Sequence, residues 1–128
     1  MLFRSPGVPE SVAQHTLSLP YNDADALKKV MQKQGKFVAG IIVEPVAGNM
    51  GLVPPVQGFL EALRELADRH GSILIFDEVM TGFGRTGTMF ATDQLKQKPD
   101  IICLSKGISG GTLPLGITAC TEEIYQEF

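Results

Sequence analysis

Tryptophan is absent, and cysteine, histidine and tyrosine each occur only twice in 128 residues. Cys103 and Cys120 stand alone inside apolar runs without CxxC spacing, so a disulfide framework or thiolate metal centre has no sequence support. They read as small buried hydrophobes. His15 and His70 are isolated as well, and no metal site is expected. With no histidine near Ser105 or either cysteine in sequence, a nucleophilic triad is unsupported. Charge of one sign is also missing in bulk: 11 basic residues stand against 14 acidic ones, scattered along the chain, for a formal charge of −3. That balance argues against a nucleic-acid surface or an anionic-membrane anchor. No apolar run approaches the roughly 20 residues of a membrane helix, and the opening MLFRSPGVPE lacks the apolar core of a secretion signal. The expectation is a cytoplasmic protein whose partners are small molecules or copies of itself.

The residues that are present have an ordinary globular balance, 44% apolar and 20% charged, in a length suited to one domain. Residues 1–20 carry four prolines or glycines and little periodicity, and read as an extended arm. Asn22 or Asp23 is placed to cap a helix over residues 23–34, which puts Leu27, Val30 and Met31 on one face, with Gly35 as its stop. Phe37 to Val43 is an apolar run that suits a strand covered on both faces. Residues 56–70 repeat Phe59, Leu60, Leu63, Leu66 and Ala67 at helical spacing, and Gly71 ends them. Strands follow over 72–77, 100–104 and 115–120, with a Gly-rich connection at 81–88, a helical turn near 90–95 and a Gly-rich loop at 107–112. A last helix starts at Thr121. Such alternation predicts an α/β layered domain with a mostly parallel sheet. No internal repeat or linker divides it, and both ends are expected to continue into a larger context.

In such sheets, ligands gather at the carboxyl ends of strands, and Glu44, Asp77 and Lys106 all fall there. Lys106 directly follows an apolar strand, where desolvation lowers an amine from its usual pKa of about 10.4 and frees it for Schiff-base chemistry. From Lys106 alone, a strand-end lysine reaching for water is the more ordinary reading; the pairing with Asp77 is what makes the amine of interest. Asp77 ends a run of four apolar residues and needs a cationic or hydrogen-bonding partner. A protonated ring nitrogen is one such partner; a helix cap or Arg85 is another. Glu78 faces the opposite way and reads as structural. Arg85 has a planar fork suited to a phosphate or a carboxylate. Thr112 offers a hydroxyl, or simply forms a turn. The loop TGFGRTGT satisfies neither GxxxxGK[ST] nor GxGxxG, so it is no nucleotide motif.

Asp77-Glu78-Val79 with Gly82-Phe83, followed by Cys103-Leu104-Ser105-Lys106-Gly107 and Gly110-Gly111, resembles the signature of the class III aminotransferases, which use pyridoxal 5′-phosphate. The resemblance implies a three-layer α/β/α large domain of the fold-type I pyridoxal-phosphate transferases, of which residues 1–128 would be a middle part, truncated at both ends. It implies that Lys106 binds the cofactor covalently and shuttles a proton, that Asp77 holds the pyridinium nitrogen, and that Val79 packs on the ring. The parent is expected to be a homodimer acting on small amino and keto substrates. The 128 residues alone are not expected to catalyse a reaction.

Two branches of the family are visible. Residues 5–83, with SPGVPESVAQHTLSLPYND, IIVEPVAGNMGLVPP and DEVMTGF, resemble the glutamate-1-semialdehyde 2,1-aminomutases of tetrapyrrole synthesis, which implies that Asn49 lies near the phenolic oxygen of the cofactor. Residues 84–128, beginning GRTGTMFATDQ, resemble the adenosylmethionine-8-amino-7-oxononanoate aminotransferases of biotin synthesis. The 29-residue spacing from Asp77 to Lys106 also follows the latter. A join of two related sequences at DEVMTGF accounts for this split, as does an unusual single member.

Overall fold

The computed structural model describes residues 6–128. Its helices are α1 (Glu10–Ala13), α2 (Ala24–Gln34), α3 (Phe59–His70) and α4 (Glu122–Tyr125). Its strands are β1 (Gly40–Val43), β2 (Ile73–Asp77), β3 (Ile101–Leu104) and β4 (Ile117–Cys120). They form one sheet in the order β1-β2-β3-β4, in which β1, β2 and β3 run parallel and β4 is antiparallel to β3. The mostly parallel α/β sheet expected from the sequence is therefore present.

Helix α2 starts where Asp23 accepts a hydrogen bond from the Ala26 amide at 2.8 Å, which satisfies one of the free amides of its first turn. Helix α3 ends at Gly71, whose φ of 69° is the left-handed conformation that a side chain would resist. The apolar stripe of α3 packs with Leu27 and Met31 of α2 onto Leu74 and Phe76 of β2. Leu74 and Phe76 are fully buried, whereas Ile73 and Ile75, which alternate with them, are half-buried. Alternation along β2 thus assigns one face of the sheet to the helices.

The other face is more open, with Ile42 64% exposed. Of the three layers expected, the described residues supply the sheet and one helical layer. The reading of β1 as covered on both faces is corrected accordingly: Ile41 and Val43 are partly buried against the core, and Ile42 on the other face is exposed. The strand also begins at Gly40, because Gly35–Phe37 forms a 3-10 turn that leaves Phe37 77% exposed. Cys103 and Cys120 are half-buried rather than buried, since both sit on β3 and β4, near the open side. Residues 10–13 of the arm make a single helical turn where no helix was expected. Four residues are too few for periodicity to reveal, and residues 1–5 of the arm lie outside the described residues.

At the amino end of the sheet, Asp100 accepts from the Leu74 amide at 2.7 Å and from Arg64 of α3 at 2.9 Å. Arg64 also pairs with Asp68 at 2.6 Å. Burial works against the charge of Arg64, but the bonds to Asp100 and Asp68 outweigh it and raise its pKa above the usual arginine value. The charged cluster ties α3 to β2 and β3 at the end remote from Lys106.

Candidate functional site

Parallel pairing sets the candidate site. Asp77, the last residue of β2, stands in register with Cys103 of β3, and β3 ends one residue later at Leu104. Ser105 and Lys106 then leave the sheet at the same end. Asp77 and Lys106 therefore leave neighbouring strands at the same end of the sheet, Lys106 three residues beyond the position paired with Asp77. One oxygen of Asp77 accepts from the Val79 amide at 3.0 Å. Among the described residues, its second oxygen receives no hydrogen bond. Val79 is half-buried beside it.

Lys106 is exposed. The desolvation expected from its place after an apolar strand is corrected: among the described residues the 3-10 turn Lys106–Ser109 carries the side chain out of the sheet, and nothing covers it. Its Nζ lies against the sulfur of Met80. Met80 in turn packs on Gly48, where an added Cβ would come within 3.2 Å of its terminal methyl. The loop after β1 therefore reaches Lys106 through Met80.

Within that loop, Glu44 accepts from the Gly48 amide at 2.9 Å, so its carboxylate shapes the turn. Asn49 follows Gly48 and is exposed. A pocket of about 230 Å³ lies between this loop and the segment after β2, lined by Gly48, Met80, Thr81 and Arg85 among others. Arg85 is exposed and forms no ion pair among the described residues; the pairing with Asp77 considered from the sequence is not made. Thr112 donates to the Ser109 carbonyl at 2.6 Å, which is the turn-forming alternative. A larger hollow of about 780 Å³ lies between the arm, α2 and β1. Glu44 touches it, but neither Asp77 nor Lys106 does, so it is set apart from the amine and carboxylate.

Two groups hold this arrangement: Tyr21, which sequence reasoning passed over, and Asn22, which it offered as a helix cap and which the fold uses otherwise. Tyr21 donates to the carbonyls of Glu44 and Pro45 at 3.1 and 3.2 Å. Asn22, at a φ of 67°, donates to the Pro54 carbonyl at 3.0 Å and accepts from the Val56 amide at 2.9 Å. The pair grips both ends of the loop that carries Glu44 and Asn49. Its partners are over 20 positions away, so no local pattern announces it.

Burial, then the nearby Glu44 carboxylate, raises the Tyr21 phenol above 10.0, partly offset by a backbone hydrogen bond at Ala47. A folded pKa above the unfolded one contributes stability below pH 10 and loses it as pH rises through the folded value. Tyr21→Phe is expected to cost about 1 kcal/mol near neutral pH. Urea unfolding should show that gap closing above pH 10; a gap that stays constant there would remove the hydroxyl from the account.

Several known proteins share this arrangement of sequence and fold. The sequence profile described as "Aminotransferase class-III" matches residues 3–128. The chain is 55% identical over 123 residues to glutamate-1-semialdehyde 2,1-aminomutase 2 of Bacillus licheniformis, covering 96% of this chain and 28% of that protein. It is 54% identical to glutamate-1-semialdehyde 2,1-aminomutase 1 of Staphylococcus carnosus, with the same coverage. Matches of this extent run through Gly84. Acetylornithine aminotransferase from Elizabethkingia anophelis superposes with a TM-score of 0.82 at 37% identity, over 88% of this chain and 28% of that one. Ornithine delta-aminotransferase of Plasmodium falciparum gives a TM-score of 0.80 at 34% identity, over 88% and 29%. The chain thus spans little more than a quarter of the length of the relatives it matches, 28% for the two aminomutases.

Proposed function

The chain belongs to the class III aminotransferases, and from that membership we propose that it is the cofactor-holding part of the large domain of a pyridoxal 5′-phosphate enzyme, a glutamate-1-semialdehyde 2,1-aminomutase. The observation that carries this reading is the exit of Asp77 and Lys106 from adjacent parallel strands at one end of the sheet. Support for the aminomutase comes from relatives of that name matching 96% of the chain.

The donor set suits the cofactor. Asp77 has one oxygen fixed by the Val79 amide and one left for a protonated ring nitrogen, while Lys106 presents an exposed amine nearby. When bound, pyridoxal 5′-phosphate supplies a conjugated ring that draws electrons from the amine-bearing carbon of a substrate. Asp77 keeps the proton on the ring nitrogen by opposing its charge. Lys106 would hold the cofactor covalently, and once the incoming substrate amine displaces its Nζ, the freed amine would accept and return the proton that moves between carbons. Val79 offers an apolar contact to the ring. Asn49, next to the Gly48 that packs on Met80, is assigned to the phenolic oxygen, and Glu44 and Arg85 are assigned to the surroundings of the substrate.

The proposal places the parent in the cytoplasm as a homodimer. No helix among the described residues is long and apolar enough to cross a membrane, and Leu52, Phe37 and Leu113 leave large apolar surfaces exposed for further protein to cover.

Borohydride reduction of the intact protein with pyridoxal 5′-phosphate, followed by peptide mapping, should place the pyridoxyl group on Lys106. A modification found only at other lysines would overturn the reading. The aminomutase is distinguished by isomerisation of glutamate 1-semialdehyde, with the amino group moved from carbon 2 to carbon 1 and no added keto acid. A strict requirement for a keto acid would favour an aminotransferase such as that for amino-oxononanoate, to which the GRTG loop points.

A further inference from the structure

Lys106 has a φ of 45°, a left-handed conformation that crowds the Cβ of a residue with a side chain against its own carbonyl. Something around it must hold that conformation. On its carboxyl side, a Cβ on Gly107 would come within 2.7 Å of the Phe83 Cβ and 3.1 Å of its ring. Phe83 and Gly107 are therefore in closest approach, and only glycine fits.

Phe83 is itself fixed. Its φ is 60°, and its ring meets Phe90 edge-on with centroids 5.6 Å apart. The turn behind Phe90 is pinned by Glu78, which accepts from the amides of Ala91 and Thr92 at 2.6 and 2.9 Å. Glu78 directly follows Asp77, and its own amide donates to the Cys103 carbonyl at 2.9 Å. A closed circuit of contacts thus joins Asp77 to Lys106 through Glu78, Phe90, Phe83 and Gly107.

We infer that Phe83 is a positioning residue for Lys106: seated on Gly107 and backed by Phe90, it holds the backbone of the amine-bearing residue at a set place relative to the Asp77 carboxylate. The inference rests on the role proposed above for Lys106, and its test carries a measurement independent of that role.

The variants are Gly107→Ala, which sets a methyl against the Phe83 Cβ, and Phe83→Leu, which keeps apolar bulk and loses the ring. Both are made in the intact protein and checked for folding by circular dichroism. Displacement of the amine by a fraction of an ångström predicts a fall in kcat of about tenfold or more, with KM within about twofold. In the cofactor-free protein, the rate at which an acylating reagent labels Lys106, read by mass spectrometry, should change by about twofold or more. The exposed Lys29 and Lys33 should keep their rates.

In Phe83→Gly/Gly107→Ala the clash is gone, so the Gly107→Ala defect should be smaller in that background than beside phenylalanine. Unchanged kcat and Lys106 labelling in the folded variants, or additive effects in the double variant, would overturn the inference. If Gly107→Ala does not fold, Phe83→Leu decides by itself. Failure of the proposed function looks different: the pyridoxyl group would be missing from Lys106 in the unsubstituted protein, while the labelling rates would still test the positioning.

Discussion

Under the function proposed above, Lys106→Ala is expected to lower kcat of the intact protein by about 10³-fold or more, because one side chain would both hold the cofactor and carry the proton that moves between carbons. A structural role would give a different pattern. Lys106 is exposed and, among the described residues, its Nζ meets only the Met80 sulfur, so its removal leaves no buried partner among them unsatisfied. The unfolding midpoint in urea should hence stay close to that of the parent while activity is lost. Lys106→Arg should fail almost as badly: the guanidinium keeps the charge, but it does not give up a proton in proteins. Small primary amines added to the alanine variant should restore part of the rate by replacing the missing nitrogen. An alanine variant with more than about a tenth of the parental kcat would mean that Lys106 does not do this chemistry.

Glu78→Ala carries the largest expected effect on stability, about 3–5 kcal/mol. Glu78 is fully buried, and its two oxygens accept four hydrogen bonds. One oxygen takes the Thr81 hydroxyl at 3.0 Å and the Ala91 amide at 2.6 Å. The other takes the Thr92 amide at 2.9 Å and the Thr92 hydroxyl. Truncation leaves those four donors without their acceptor, and the penalty of each unmet group dominates the lost contact. Glu78→Gln should cost less, about 1–3 kcal/mol, since one oxygen remains while its amide faces donors. Denaturant unfolding gives the values directly. Amide exchange at Ala91 and Thr92 should accelerate in both variants. A Glu78→Ala protein within about 1 kcal/mol of the parent would show that the donors find other partners.

The same residue illustrates how far the sequence could be read. Alternation along a strand says that Glu78 faces away from Asp77, and that suffices to call it structural. It does not say that its partners are Thr81, Ala91 and Thr92, because a hydrogen bond across 13 or 14 positions leaves no periodic trace. The place of a candidate site was legible for the opposite reason: Asp77 and Lys106 each end an apolar run, and strand ends are where a parallel sheet collects its ligands, whereas the cofactor came only from the resemblance of their motifs to the class III aminotransferases. Desolvation of Lys106 was misjudged from that same position. Burial depends on what packs over a side chain, and the residue before or after it in the chain carries little information on that.

By itself, then, the sequence determined the order of the four strands and of α2, α3 and α4, the buried stripe of α3, a cap at Asn22 or Asp23, the stop at Gly71, and the family to which the Asp77 and Lys106 motifs belong. These are local properties, written in spacing and in the conformational preferences of single residues. Tertiary structure alone decided that Tyr21 and Asn22 grip the loop of Glu44 and Asn49, that Met80 links this loop to Lys106, and that Phe83 seats Gly107. Each of these is a contact between residues distant in the chain, made only after the sheet has brought them together; its energy comes from desolvated hydrogen bonds and close packing that no short window of sequence contains.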